Sequence, residues 1–188
     1  EPLAQRLLLR PNSDPEQEAE GFLTDEVGTV DEALQGARDI IAEQISEDEH
    51  SRQTLRRIYS REAVITSKAV KGKSETPEAA KYRDYFEWSE PLKRCTSHRL
   101  LAMRRGESEG VLRVTITPAD DEGATERVAR RYVKSGTRAA EQVEMAAGDA
   151  YKRLLRPSIE TEFAASSKEQ ADEEAIRVFA TNLKQLLL

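Results

Sequence analysis

A single cysteine, Cys95, and two histidines, His50 and His98, are the only thiol and imidazole side chains in these 188 residues. One cysteine excludes an internal disulfide framework, and these three residues cannot supply a Cys/His zinc centre. Aromatic residues make up 5% of the chain, and they are not interleaved in either of its two cationic clusters as a stacking platform for single strands would require. The nine glycines are scattered, so no glycine-rich phosphate cradle is formed. No apolar run approaches the roughly 20 residues that cross a bilayer, and the start lacks a secretory leader pattern. These absences point to a reducing cytoplasm, with no membrane, metal, cofactor or small-molecule substrate.

What is present is charge. Charged residues are 34% and hydrophobic residues 38% of the sequence, with a net charge of −6. That balance suits long solvated helices better than a β-sandwich. The length allows one ordinary domain or two small ones. Residues 1–50 carry 3 basic and 14 acidic side chains, residues 51–138 carry 20 and 12, and residues 139–188 carry 6 and 9. The basic middle either pairs with the acidic ends or offers a local face to a polyanion. Both ends, "EPLAQRLLLRP" and "NLKQLLL", are apolar, whereas free termini are usually polar. The expectation is an internal segment of a larger protein, divided into an acidic helical part (about 1–50), a basic helical and β part (about 51–138) and long C-terminal helices (about 139–188).

The fold class expected is mainly α, a bundle-like multi-helical segment with room for one small two-stranded β element. "GTVDEALQGARDIIAEQISED" is the clearest helix, opened by a capping box of Thr29 and Glu32. Its apolar stripe runs through Ala33, Leu34, Ala37, Ile40, Ile41 and Ile45, and Gly36 within it suggests a close helix–helix approach. A second helix turns Leu55, Ile58 and Tyr59 inward and Arg52, Arg56, Arg57 and Arg61 outward. "VLRVTIT" alternates as a strand, and "AVITSKAV" is its best partner. "TSHRLLAMRRGESEG" reads as a short helix closed by a left-handed Gly106. "ADDEGAT" reads as a turn, "ATERVARRYVKSG" as a helix ending at Gly136, and the next helix as stopping before Pro157. The last helix carries Ile176, Phe179, Ala180, Leu183 and Leu187 on one stripe.

The candidate chemistry is sparse. Cys95 and His98 are three residues apart, but nucleophilic catalysis also needs an orienting group and an oxyanion hole, which no motif supplies. His98 is expected to be a hydrogen-bonded, partly buried side chain near a helix start. Asp120 and Asp121 lack the staggered oxygen ligands of a metal loop. No catalytic residue is assigned. Two cationic clusters remain as candidate nucleic-acid contacts. The first is Arg99, Arg104 and Arg105, flanked by Lys93 and Arg94. The second is Arg127, Arg130, Arg131, Lys134 and Arg138, in which Arg127, Arg131 and Lys134 follow a helical i, i+4, i+7 spacing. Such stripes neutralise phosphates without reading sequence.

Six stretches carry a resemblance. "EPLA", "ALQGARDIIAEQISED", "KYRDYFEWSEPL", "SHRLLAMRRGESEGVL", "DAYKRLLRPSIETE" and "ADEEAIRVFATNLKQLLL" occur in this order. Together they closely resemble the bacterial Tex family of transcription accessory proteins, relatives of the core of a eukaryotic transcription elongation factor. Two departures are Cys95-Thr96, where an apolar residue and often proline is expected, and "FAASSKE", which lacks an expected basic residue. The resemblance implies a helical segment between an N-terminal helix-turn-helix region and an RNase-H-like YqgF domain. Helix-hairpin-helix motifs and an OB-fold RNA-binding domain would follow. It implies a parent that binds RNA or DNA mainly through domains outside this segment, and it supplies no catalytic residue. The expected function is a non-catalytic scaffold of a nucleic-acid-binding transcription factor. The alternative is a module that docks transcription machinery through the acidic first 50 residues.

Overall fold

A computed structural model describes residues 1–188. The chain forms eight α-helices and a three-stranded antiparallel sheet. It divides into two compact units, each assembled from two stretches of sequence: residues 1–57 with 120–159, and residues 58–119 with 160–188.

The first unit is helical. Helix α1 (Pro2–Leu9) buries Leu3, Ala4 and Leu7. Helix α2 (Pro15–Glu20) starts at Asp14, whose carboxylate accepts from the backbone N–H groups of Glu16 and Gln17, with Pro15 at the first helical position. Helix α3 (Val30–Glu47) opens with the predicted capping box: Thr29 accepts from Glu32 N–H at 3.2 Å, while Glu32 accepts from Thr29 N–H at 3.3 Å. Its stripe buries Ala33, Leu34, Ala37, Ile41, Ala42 and Ile45, with Ile40 at the margin. Gly36 faces open space, and an added methyl there would meet nothing within 4 Å. The expected close approach at Gly36 is therefore not made; the α3–α7 contact uses other residues. Helix α7 (Ala140–Asp149) presents Val143, Ala146 and Ala147 to the core, and Arg38 of α3 donates to Gln142 of α7 at 2.5 Å.

Helix α6 (Asp121–Ala129) begins inside the stretch expected to be a turn. The Asp120 carboxylate caps it by accepting from Gly123 N–H at 2.9 Å, and Asp121 and Glu122 occupy the first turn, where negative charge suits the helix dipole. The helix ends at Ala129 rather than running to Gly136. Beyond α7, a π-helical turn (Ala150–Leu155) leads directly into α8 (Arg156–Leu186), so Pro157 does not stop the helix. A proline in a regular helix clashes with the carbonyl four residues back. Here the preceding turn is the wider π form, and the chain passes the proline within its first residues after that turn.

The second unit holds the sheet. Helix α4 (Glu49–Glu62) belongs to the first unit as far as Arg57 and to the second from Ile58, and it runs without a loop into β1 (Ala63–Ala69). Leu55, Ile58 and Tyr59 of α4 are buried as expected, and the Tyr59 and Phe163 rings lie 5.2 Å apart. β1 pairs with β3 (Leu112–Pro118) in the register Thr66 opposite Thr115, which confirms the anticipated pairing. A third strand, β2 (Glu87–Pro91), pairs on the other side of β1 and makes the order β2-β1-β3. The expected two-stranded element is thus three-stranded. β2 escaped notice because "EWSEP" carries two carboxylates and ends in proline, and it follows a 3-10 helix (Pro77–Tyr85) that fixes its position.

One sheet face is core, with Ile65, Ser67, Val114 and Ile116 buried and the Ser67 hydroxyl donating to Tyr85 C=O at 2.8 Å. Two backbone donors on the outer edge of β3 are taken by carboxylates. Glu107 accepts from Val114 N–H at 3.3 Å, Glu160 accepts from Ile116 N–H at 2.9 Å, and Pro118 has no N–H to offer.

Helix α5 (Ser97–Ser108) packs under this core face through Leu100, Met103 and Gly106. Gly106 lies inside the helix rather than closing it. The left-handed residue is Gly110, with φ of 75°. Gly110 N–H donates to Glu107 C=O at 3.0 Å and Val111 N–H to Gly106 C=O at 2.9 Å, the paired bonds of a Schellman end. No helix of the chain is long and apolar enough to cross a membrane.

Candidate nucleic-acid interface

The two cationic clusters lie in different units, and their members have different fates. In the first cluster Arg99 is committed to Glu90. Its Nε donates to Oε2 at 3.0 Å and its Nη2 to Oε1 at 2.8 Å, a two-pronged pair that also receives Trp88 Nε1–H at 2.6 Å. Burial works against the Glu90 charge, but these donors prevail and hold its carboxyl below the usual range. Arg104 donates to Glu107 at 2.8 Å with 12% of its side chain exposed. Arg105, Lys93 and Arg94 are exposed without ion pairs.

The second cluster stands out from the surface. Arg127, Arg130, Arg131, Lys134 and Arg138 are all exposed. They do not form one helical stripe, because α6 stops at Ala129: Arg130 caps it, and Arg131, Lys134 and Arg138 sit in the turns that follow. Tyr132 lies three residues past the end of the helix. The Tyr132 hydroxyl donates to Asp48 and shares a 2.8 Å hydrogen bond with buried Ser51. Tyr132 lowers the Asp48 pKa, and burial together with Asp48 pushes the Tyr132 phenol up to about 12. Two of the cations lean on carboxylates of the acidic first 50 residues, Arg131 on Asp48 and Arg138 on Asp14, each at 3.9 Å. Those pairs are exposed and long, a geometry that contributes little. Arg130 and Lys134 have no ion pair.

The Cys95–His98 pair does not assemble. The Cys95 sulfur donates to Thr96 C=O at 3.7 Å, and His98 Nδ1 shares a 3.2 Å hydrogen bond with the Thr96 hydroxyl. Burial, with the nearby Glu90 charge, raises the thiol to about 11, the opposite of the lowered value an attacking thiolate needs. His98 is hydrogen-bonded at the start of α5 as expected, but it is exposed rather than partly buried.

A family model described as Tex central region-like matches residues 10–179. The chain belongs to the Tex family. It is 39% identical over 197 residues to the transcriptional accessory protein Tex of Neisseria gonorrhoeae, covering all of this chain and 25% of that protein. It is 36% identical over 203 residues to protein YhgF of Escherichia coli, covering all of this chain and 26% of that protein. The human S1 RNA-binding domain-containing protein 1 is 27% identical over 176 residues, covering 86% of this chain and 17% of that one. This Tex-family chain therefore spans about a quarter of the length of its bacterial relatives.

Reading the sequence missed the Asp48–Ser51–Tyr132 cluster that turns the chain at the cationic surface. Its members are separated by up to 84 positions, and only "SEDEHS" before a helix hinted at a cap there.

Proposed function

We propose that this chain is a non-catalytic helical scaffold within a cytoplasmic, nucleic-acid-binding transcription accessory protein. On this reading the turn after α6 contributes phosphate contacts. The observation that carries it is the pair Arg130 and Lys134, exposed beside three further exposed cations and neutralised by no carboxylate. The relatives named for transcription accessory activity and S1 RNA binding support the class of ligand. A helix C-terminus attracts cations in its own right, but that accounts for Arg127 and Arg130 only, since Lys134 lies past the end.

The test is a salt series of binding to labelled RNA and duplex DNA by the whole chain and by its R130A/K134A variant. If both cations meet phosphates, affinity falls alike for every sequence. The log–log salt slope on duplex then decreases by about 1.8, at about 0.9 per phosphate. An unchanged slope would overturn the reading.

One observation favours the docking alternative. Asp39, Glu43 and Glu47 form an exposed acidic ridge at four-residue spacing along α3. Transcription machinery would then be recruited by α3, and charge reversal on the ridge would abolish capture of a basic partner while leaving nucleic-acid binding intact.

A further inference from the structure

The sheet has a second face that neither cluster includes. Opposite the core, three strands present a three-by-three grid. The first row is Glu87, Lys68 and Arg113; the second is Ser89, Thr66 and Thr115; the third is Pro91, Val64 and Thr117. None of the nine residues is buried, and the Thr66 and Ser89 hydroxyls share a long, exposed 3.4 Å hydrogen bond in which only one of the two protons is used. Neighbouring strands lie about 4.8 Å apart and alternate residues about 6.7 Å apart, so two cations and a row of hydroxyls share a patch small enough for one stretch of backbone phosphate.

Lys68 and Arg113 are directly opposite one another across β1 and β3. Like charges in that position destabilise a sheet. Glu87 flanks Lys68 on the other side but makes no ion pair with it, and Arg113 has none either. Lys71 and Lys73 follow β1 in the next turn, both exposed and also without ion pairs. The like-charge pair therefore costs the fold something, and no carboxylate forms an ion pair with either cation to offset it. Threonine and serine hydroxyls donate to phosphate oxygens, and Lys and Arg neutralise them. The grid holds no aromatic side chain, so bases would not stack on it.

We propose that this open face is a second nucleic-acid contact, in which Lys68 and Arg113 neutralise adjacent phosphates and the Thr66, Ser89 and Thr115 hydroxyls hydrogen-bond to them. Recognition is of the backbone and blind to sequence. The proposal shares only its class of ligand with the reading given for the α6 turn; its residues lie on the sheet of the other unit.

The experiment compares the whole chain with K68T/R113T, R130A/K134A and the combined variant. Binding to fluorescein-labelled oligouridine and to mixed-sequence duplex DNA is followed by anisotropy across a salt series. Threonine keeps the strand propensity at both sheet positions. K68T/R113T is expected to lower the log–log slope by about 1.4 on the single strand and about 1.8 on duplex. The loss should appear equally in the R130A/K134A background. Urea unfolding supplies an independent readout: removing the like-charge pair should raise the midpoint, more at low salt than at high. Unchanged affinity and slope in K68T/R113T overturn this proposal alone, whereas an unchanged R130A/K134A overturns the α6 reading alone. Absence of binding by the parent chain overturns both. A lowered urea midpoint would show the pair to be structural and would also overturn the proposal.

Discussion

An alanine methyl at Gly36 would meet no atom within 4 Å, whereas at Gly106 it would lie 2.5 Å from Leu112 Cδ1 and 3.2 Å from Tyr82 Cδ1. Both glycines sit inside helices, at αR geometry that alanine prefers. G36A should therefore stabilise the protein by up to about 1 kcal/mol, the ordinary helix-propensity gain. G106A should destabilise it by about 1–3 kcal/mol, the usual cost of overpacking. Urea denaturation of the two variants decides this, and equal shifts of the same sign would contradict it. Local sequence suggested the reverse roles, a contact at Gly36 and a terminator at Gly106. A glycine's reason lies in what packs against it, and Leu112 and Tyr82 approach Gly106 from outside its helix. The capping box of Thr29 and Glu32 was legible because its partners are three residues apart. The bond between Tyr132 and Asp48 was not, because its partners are separated by 84 positions.

At the scale of elements, periodicity served well where one face is buried. The α3 stripe and the alternation of β3 both emerged in the core, with Ile41 and Ile116 fully buried. The stripe on α8 has the same spacing but no such cover: Ile176 and Phe179 are each 68% exposed and Leu183 46%. Identical patterns thus carry different energies. I41A should cost about 2–5 kcal/mol through lost burial and a cavity, and L183A less than about 0.5 kcal/mol, as at ordinary surface positions. Thermal or chemical unfolding of the whole chain would show a common loss if α8 were covered as α3 is. Helix ends were the least legible feature. α6 ends at Ala129, three residues before Tyr132 bonds Asp48, and the helix continues through Pro157 after a π turn. Neither leaves a mark in propensity. That early end is also what took Arg131 and Lys134 off the helix, so the cationic surface was legible as a set of residues but not as a stripe.

For the molecule as a whole, family membership was readable because six blocks of sequence stand in register, and the fold class because charge and apolar spacing favour helices. The path of the chain was not readable. Each compact unit takes residues from two separated stretches, and no linear pattern of charge announces such an assembly. The sheet adds a consequence that concerns other molecules rather than this one. A strand with unpaired outer donors is a template on which a neighbour's chain can grow a further strand. On β3 the outward donors of Val114 and Ile116 are held by Glu107 and Glu160, and Pro118 has none. Both carboxylates come from helices flanking β3, one before it and one after, so this edge is closed only once α5 and α8 have formed. Refolding at high protein concentration is then the moment of exposure. An E107A/E160A variant should become turbid and gain strand content during concentrated refolding while staying clear once folded and dilute. Equal clarity of parent and variant throughout would mean that these carboxylates do not guard the edge.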